Sequence, residues 1–182
     1  SLLGGGGVDG AFHAAAGPSL LAECHEVRRR DLPDGLPPGE AVVTGAGDLP
    51  ARFVIHTVGP KFWEYPDGGV HVLARSHAAS MAAAHVVGAR DIAFPAISCG
   101  VYGWDPVNAA PIAMRAVRES LLRAPCVRAV TVVLFNADAF DAFRRALDGG
   151  CPRRVLESDA NATKALALVL HLEDANRPNL LS

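Results

Sequence analysis

The sequence predicts an α/β protein with three layers, in which helices cover both faces of a mixed β-sheet. Short apolar segments rich in β-branched residues alternate with longer segments of helical periodicity. In the second half of the chain, glycine-containing turns lead from strands into helices, as in folds that bind ligands at the carboxyl ends of their strands. The length of 182 residues fits one domain with a sizeable core.

Eight segments follow one another in the order α, β, β, α, β, α, β, α, and this order supports the fold class. The helices are predicted at residues 8–30, 70–87, 105–123 and 138–147, and the strands at residues 39–44, 52–58, 91–97 and 127–135. The first helix breaks at Gly17-Pro18, and Gly88 ends the second. Pro106 lies just inside the third helix, and Asn136 or Asp138 caps the fourth.

The domain is expected to end at the turn formed by residues 149–152. Residues 1–150 then form the domain, and residues 151–182 form an extension of unknown structure. The extension contains one apolar segment, at residues 165–172, which is a candidate for a terminal strand or helix. The chain begins without Met and inside a glycine-rich loop, so we expect its natural N-terminus to lie further upstream.

Composition and charge exclude several classes of protein. A formal net charge of −2 argues against a broad basic face for nucleic acid. No apolar run reaches the roughly 18 residues of a membrane helix, and no signal peptide is recognisable. The four cysteines form no C-x-x-C pair, so we expect reduced thiols in a cytoplasmic protein and no metal site. The cysteines are Cys24, Cys99, Cys126 and Cys151. We also expect no cofactor.

Four consecutive glycines, residues 4–7, precede the first helix. Glycine lets a ligand approach bare backbone N–H groups, and a helix N-terminus favours an anion, so this loop predicts a phosphate site. Asp9 adds a carboxylate that is better suited to a sugar hydroxyl, a water or an amide than to the phosphate itself. The alternative is a flexible turn in which Asp9 only caps or charges the first helical turn.

A second glycine loop follows the strand at residues 91–97 and reads Ser98-Cys99-Gly100-Val101-Tyr102-Gly103-Trp104. A strand, a glycine loop and a helix N-terminus in this order are typical of phosphate cradles. The loop matches neither G-x-G-x-x-G nor G-x-x-x-x-G-K-[ST], so neither common nucleotide fingerprint applies. No His or Asn is placed by sequence to activate Cys99, which argues against a nucleophilic role.

Histidines and aromatic residues leave further alternatives open. His13 is interpreted as a satisfied structural residue, with a role as a ligand as the alternative. His56 is interpreted as a hydrogen-bonded core histidine. Three aromatic residues in the loop at residues 61–69 predict either a lid or a local hydrophobic plug. Phe135 closes a strand at its carboxyl end, where it either stacks on a base or packs in the core.

Taken together, three segments resemble the macrodomain family, in particular the MacroD-type branch that includes bacterial O-acetyl-ADP-ribose deacetylases. They are LGGGGVDGAFH with AAG behind it at residues 3–17, GEA with LPARFVIHTVGP at residues 39–60, and FPAISCGVYG at residues 94–103. The likeness covers about residues 1–148 and excludes the extension. Family members also carry an Asn-Ala-Ala-Asn segment just before the glycine loop and, further upstream, an aspartate that reads adenine. The chain contains neither, so we expect it to lack at least one core strand.

The resemblance implies a cleft for ADP-ribose between the two glycine loops. The first loop would line the distal ribose and diphosphate, the second would wrap the diphosphate, and a third segment would lie near adenosine. In this order the implied residues are Gly5, Gly6, Gly7, Val8 and Asp9, then Ser98, Cys99, Gly100, Val101 and Tyr102, then Phe135 and Asn136.

The activity implied by this resemblance is hydrolysis of O-acetyl-ADP-ribose or of ADP-ribose linked to acidic side chains. Asp9 would position or activate the attacking water, and backbone amides would hold the diphosphate. The expected partners are ADP-ribose or its O-acetyl ester and mono-ADP-ribosylated proteins, with no membrane and no nucleic acid. Two alternatives are a reader that binds ADP-ribose without turnover and an inactive truncated domain.

Overall fold

The computed structural model describes residues 2–149, 155–157 and 166–171, the last two ranges by their backbone alone. The helices are α1 (Gly7–Arg30), α2 (Val70–Val86), α3 (Pro106–Leu121) and α4 (Ala137–Asp148). The strands are β1 (Ala41–Gly45), β2 (Phe53–Thr57), β3 (Asp91–Pro95), β4 (Ala129–Leu134), β5 (Val155–Glu157) and β6 (Leu166–His171), and a short 3₁₀ helix covers Phe62–Glu64. The eight segments predicted from the sequence are therefore confirmed, and β5 and β6 are added to them.

The predicted helix boundaries have the expected local causes. Gly17 has φ 71° and ψ −175° inside α1, so the helix is kinked before Pro18 as predicted. Gly88 follows α2 with φ 66°, a left-handed conformation that glycine adopts at little cost. Asn136 caps α4, since its side-chain oxygen accepts the N–H of Ala139 at 2.8 Å.

The strands form two sheets of mixed direction. β1 and β2 pair antiparallel in a two-stranded sheet. The second sheet has the order β3-β4-β6-β5, in which β3 and β4 are parallel and the other neighbours are antiparallel. Within the described ranges, no hydrogen-bonded pairing joins β2 to β3. The strands of mixed direction expected from the sequence are present, but they are divided into two sheets between β2 and β3.

Helices cover both faces of the β1–β2 sheet, as the predicted three-layer arrangement requires. Successive residues of a strand point to opposite faces. Val54 packs against a cluster built on the α1 residues Ala16, Leu20, Cys24 and Val27, whereas Ile55 packs against the larger cluster that contains Met81 of α2. Because Val54 and Ile55 point to opposite faces of β2, α1 lies on one face of this sheet and α2 on the other.

The larger cluster lies between β3, β4 and three helices. Its fully buried members include Phe143 of α4, Met114 of α3 and Val130 of β4. These side chains fix β3 and β4 in parallel, with their carboxyl ends on the same edge of the sheet. The loops that follow the two strands are positioned by this packing.

The apolar segment of the extension contributes β6, which pairs with β4 on the edge away from β3. It therefore extends the second sheet outward and does not join β2 to β3. The expected boundary at residue 150 and most of residues 151–182 lie outside the described residues. Among the helices that the structure describes, none is long and apolar enough to cross a membrane.

Candidate functional site

The second glycine loop and Phe135 lie at one edge of the molecule. β3 and β4 are parallel neighbours, so the segments that follow them, residues 96–103 and 135–136, leave the sheet on the same side. The carboxyl end of β2 reaches the same place. A β-carbon added to Gly59 would lie 2.3 Å from the Oγ atom of Ser98, so these two segments are in close contact.

The first glycine loop is anchored next to the carboxyl end of β2. Leu2 is 5% exposed and belongs to the apolar cluster of α1, against which Val58 also packs. Val58 directly precedes Gly59, the residue in contact with Ser98. Packing therefore links both predicted loops to the end of β2, although Ser98 follows Asp9 by 89 positions in the sequence.

The glycines of the first loop leave open space at the start of α1. A β-carbon added to Gly6 or Gly7 would meet no atom within 4 Å, and both residues are exposed. Gly6 is the N-cap residue and supplies no side-chain hydrogen bond to the helix. The first N–H groups of α1 therefore have no side-chain cap and face an open surface, as an anion site requires.

Asp9 lies in the first turn of α1 with 46% of its side chain exposed. A β-carbon on Gly5 would be 3.4 Å from its Oδ2 atom, and one on Gly10 would be 2.4 Å from the carbonyl oxygen of Gly5. The loop thus folds back onto the first helical turn, and only glycine at position 10 permits this approach. The carboxylate is held beside the loop and remains accessible to a ligand or water.

His13 is one helical turn beyond Asp9, and its Nε2 atom lies 3.7 Å from the Oδ1 atom of that carboxylate. Its side chain is 11% exposed, and neither ring nitrogen has a hydrogen-bond partner among the described residues. The expectation that His13 is a satisfied structural residue is therefore wrong, and the alternative of a ligand role stays a prediction. The i, i+4 spacing of Asp9 and His13 was the sequence signal that could have paired them.

The second loop is closed by backbone hydrogen bonds and is open at its tip. The N–H of Trp104 donates to the carbonyl of Ser98 at 3.1 Å, and that of Gly103 donates to the carbonyl of Gly100 at 3.0 Å. A β-carbon on Gly100 would meet nothing within 4 Å, and Val101 is 82% exposed. The tip of this loop can therefore contact a ligand without rearranging.

Ser98 and Cys99 differ in what they offer at the base of this loop. Ser98 has φ 66°, and its Oγ atom is buried without a hydrogen-bond partner among the described residues. The N–H of Cys99 donates to the carbonyl of Ala96 inside the turn at 3.1 Å. We therefore expect residues 100–102, more than Cys99, to supply N–H groups to an anion.

The Cys99 thiol is poorly suited to act as a nucleophile. Its side chain is buried, and this burial raises the pKa of the thiol to about 12, with a smaller contribution from Asp105. The thiolate is the reactive form of cysteine, so Cys99 is protonated at neutral pH. The structure agrees with the expectation drawn from the sequence.

Phe135 and Asn136 follow β4 on the edge that carries the second loop. Phe135 is 54% exposed, so the alternative that places it in the core is wrong. Asn136 is exposed, and its side-chain oxygen is already engaged as the cap of α4. Phe135 therefore offers an accessible ring face, whereas the side-chain oxygen of Asn136 is partly engaged and its amide NH₂ group remains to donate.

His56 of β2 lies close enough to Asp9 for that carboxylate to affect its pKa, but it is neutral at neutral pH. Its Nε2 atom is 2.8 Å from the Thr44 hydroxyl, which confirms the expected hydrogen-bonded core histidine. Burial lowers the pKa of His56 to about 4 and outweighs the opposing effect of the Asp9 carboxylate. In the described part of the chain, no three His, Cys, Asp or Glu side chains are grouped so as to hold a metal ion.

Comparison with known proteins identifies the family. The Macro domain family matches residues 1–113. An O-acetyl-ADP-ribose deacetylase of Klebsiella pneumoniae is 48% identical over 147 residues, which are 81% of this chain and 83% of the deacetylase. An Oceanobacillus iheyensis macrodomain solved with ADP is 41% identical with a TM-score of 0.77, covering 82% of this chain and 78% of that one. A Trypanosoma brucei macrodomain in complex with ADP-ribose is 33% identical with a TM-score of 0.71, covering 80% and 59%. The chain belongs to the Macro domain family.

Proposed function

We propose that this protein binds ADP-ribose and hydrolyses ester derivatives of it, either O-acetyl-ADP-ribose or ADP-ribose linked to acidic side chains of proteins. The observation that carries the proposal is the exposed Asp9 carboxylate beside a glycine loop whose Gly6 and Gly7 face open space. Similarity to the O-acetyl-ADP-ribose deacetylase of Klebsiella and to the Trypanosoma macrodomain in complex with ADP-ribose supports it.

The diphosphate would be held mainly by backbone N–H groups. The N-terminal amides of α1 and the tip of the second loop both face open space, and both would carry partial positive charge toward the ligand. Fixed amide dipoles need no reorganisation when charge develops during the reaction. Such binding requires no cationic side chain, which agrees with the net charge of −2.

Asp9 would orient a water molecule toward the ester and accept its proton as the water attacks. The bond between the acyl carbon and the ribose oxygen then breaks, and the proton held by Asp9 passes to the leaving ribose oxygen. The products are ADP-ribose with a free hydroxyl and a carboxylic acid that carries the oxygen of the water. General-base assistance of this kind contributes about 10²–10⁴-fold to a rate. His13 lies beside this carboxylate, with its Nε2 atom 3.7 Å from Oδ1 and no hydrogen bond between them.

Phe135 would stack on the adenine ring at the other end of the cleft. Its exposed position at the carboxyl end of β4 supports this role.

We also infer a cytoplasmic protein, since Cys24, Cys99 and Cys126 are free thiols.

The test is to measure binding and turnover separately. Titration calorimetry with ADP-ribose should give micromolar affinity for the parent and for Asp9→Asn, while hydrolysis of O-acetyl-ADP-ribose should fall at least about 100-fold in the variant. The matched control is Asp34→Asn, an exposed aspartate in the loop after α1, which should hydrolyse at the parental rate.

Each alternative gives a different result in this experiment. Binding without turnover in the parent would make the protein a reader. Turnover at the parental rate in Asp9→Asn would remove Asp9 from the mechanism, and absence of ADP-ribose binding in the folded parent would reject the proposed function.

A further inference from the structure

Three apolar side chains are exposed together beside the second glycine loop. Trp63 is 64% exposed, Phe62 is 47% exposed and Val101 is 82% exposed. Trp63 and Phe62 belong to the 3₁₀ helix in the loop after β2, and Val101 lies at the tip of the second glycine loop. We call these three residues the apolar rim. Large exposed aromatic side chains in one patch mark interaction surfaces.

The apolar rim is joined to the second glycine loop by direct contacts. The N–H of Phe62 donates to the carbonyl of Tyr102 at 2.9 Å. A β-carbon on Gly103 would lie 3.1 Å from the Trp63 ring, so the indole packs on the loop backbone at this glycine. The Nζ atom of Lys61 lies 6.0 Å from the centroid of the Tyr102 ring. The rim is therefore continuous with the proposed diphosphate site.

The same contacts decide between the lid and the plug predicted for this loop. Phe62 meets the ring of the buried Trp104 edge-to-face at 5.4 Å, and the Trp104 indole N–H donates to the carbonyl of Gly68 at 2.9 Å. Phe62 also packs directly over Gly68, where a β-carbon would lie 2.6 Å from its ring. One side of the Phe62 ring thus fixes the loop against Trp104 and Gly68, as a plug would, while 47% of the residue stays exposed beside Trp63.

We propose that the apolar rim contacts the polypeptide that carries the ADP-ribosyl group. This inference rests on the proposed function. The partner is a mono-ADP-ribosylated protein segment, whose backbone and side chains pass over Trp63 when the diphosphate is held by residues 98–102. The rim thus selects protein-linked ADP-ribose over the small O-acetyl ester.

The dimensions and chemistry of the rim favour a polypeptide over a small acyl group. An acetyl group has two carbons and reaches only the immediate surroundings of the distal ribose. A tryptophan side chain presents a large apolar area, and Trp is enriched among the residues that dominate protein interfaces. Because Phe62 fixes the loop, little conformational entropy is lost when a polypeptide binds to Trp63.

The experiment compares two ligands on the parent protein and on Trp63→Ser. The ligands are free ADP-ribose and a peptide that carries ADP-ribose through a hydrolysis-resistant amide linkage. The parent should bind the peptide at least about fivefold more tightly than free ADP-ribose, the scale of one interface residue. Trp63→Ser should lose this preference but retain its affinity for free ADP-ribose. Trp63→Phe should keep part of the preference for the peptide.

The matched control is Val86→Ser, which removes an 84% exposed apolar side chain from the end of α2 and should leave both affinities unchanged. Circular dichroism confirms that each variant is folded. Turnover provides a second readout, since kcat/KM for an ADP-ribosylated protein should fall in Trp63→Ser while kcat/KM for O-acetyl-ADP-ribose stays within about twofold.

Several outcomes would overturn the inference. Equal affinity of the parent for both ligands, or an equal loss for both in Trp63→Ser, would show that Trp63 does not read the carrier polypeptide. Dimerisation of the parent that is lost in Trp63→Ser would assign the rim to a second copy of the chain. A folded parent that binds neither ligand would reject the proposed function itself, which separates that failure from a failure of the inference.

Discussion

The sharpest test of the first loop is Gly10→Ala, because the structure gives the size of the perturbation. The new β-carbon would lie 2.4 Å from the carbonyl oxygen of Gly5, whereas ordinary contact begins at 3.4 Å. Backbone must therefore move by about 1 Å, and the backbone that moves is the loop that packs Gly5 against Asp9. A misplacement of about 1 Å costs on the order of 100-fold in rate, or about 2.7 kcal/mol.

Stability should change much less than activity. Alanine is favoured over glycine inside a helix by roughly 1 kcal/mol, which offsets part of the strain. We expect Gly10→Ala to keep a thermal midpoint within a few degrees of the parent while kcat/KM for O-acetyl-ADP-ribose falls by about 100-fold. Initial-rate measurements and thermal denaturation on the same preparations give both numbers.

The control for this prediction is Gly149→Ala at the end of α4. Its β-carbon would lie 3.4 Å from the nearest atom, the carbonyl oxygen of Arg145, which is ordinary contact. Parental turnover in Gly10→Ala would refute the reasoning, since it would show that the position of the first loop does not matter for the reaction. A variant that loses activity only because it unfolds would be recognised by its thermal midpoint.

Three further predictions concern the ligand site and the core. Gly100→Glu should lower ADP-ribose affinity by at least about 30-fold, because its side chain is bulky and carries the same charge as the diphosphate. Gly100→Ala should bind normally, because a β-carbon at this position meets no atom within 4 Å. If calorimetry gives Gly100→Glu the affinity of the parent, the second loop is not part of the site. Phe135→Ser should weaken ADP-ribose binding by about 1–2 kcal/mol without changing the free energy of unfolding, since Phe135 is 54% exposed; an unchanged affinity would exclude stacking. Burial lowers the pKa of His77 from 6.5 to about 4. The contribution of its neutral ring to the free energy of unfolding is therefore complete above pH 6.5 and is lost as the pH falls toward 4. Lowering the pH from 7 to 5 should reduce the free energy of unfolding of the parent by about 2 kcal/mol more than that of His77→Leu, as measured by urea unfolding. The same reduction in both proteins would contradict this assignment.

The secondary structure could be predicted because each element has a local cause. Apolar periodicity marks the helices and strands, and particular residues such as Gly17, Gly88 and Asn136 mark where helices break, end or begin. The two glycine loops were likewise visible as breaks between elements. These signals depend on residues close in the chain, so they can be read without a tertiary structure.

The sequence by itself determined the α/β fold class, the order of eight elements and the positions of both glycine loops, with Asp9 just after the first. Only the tertiary structure showed that Phe135 is exposed, that His13 lies beside Asp9 without a hydrogen bond, and that Trp63 packs on Gly103. It also decided that β6 extends the sheet beyond β4 and leaves β2 and β3 unpaired with each other. Exposure, strand neighbours and contacts between distant loops depend on how whole elements pack, and a pattern within one element carries no record of that packing.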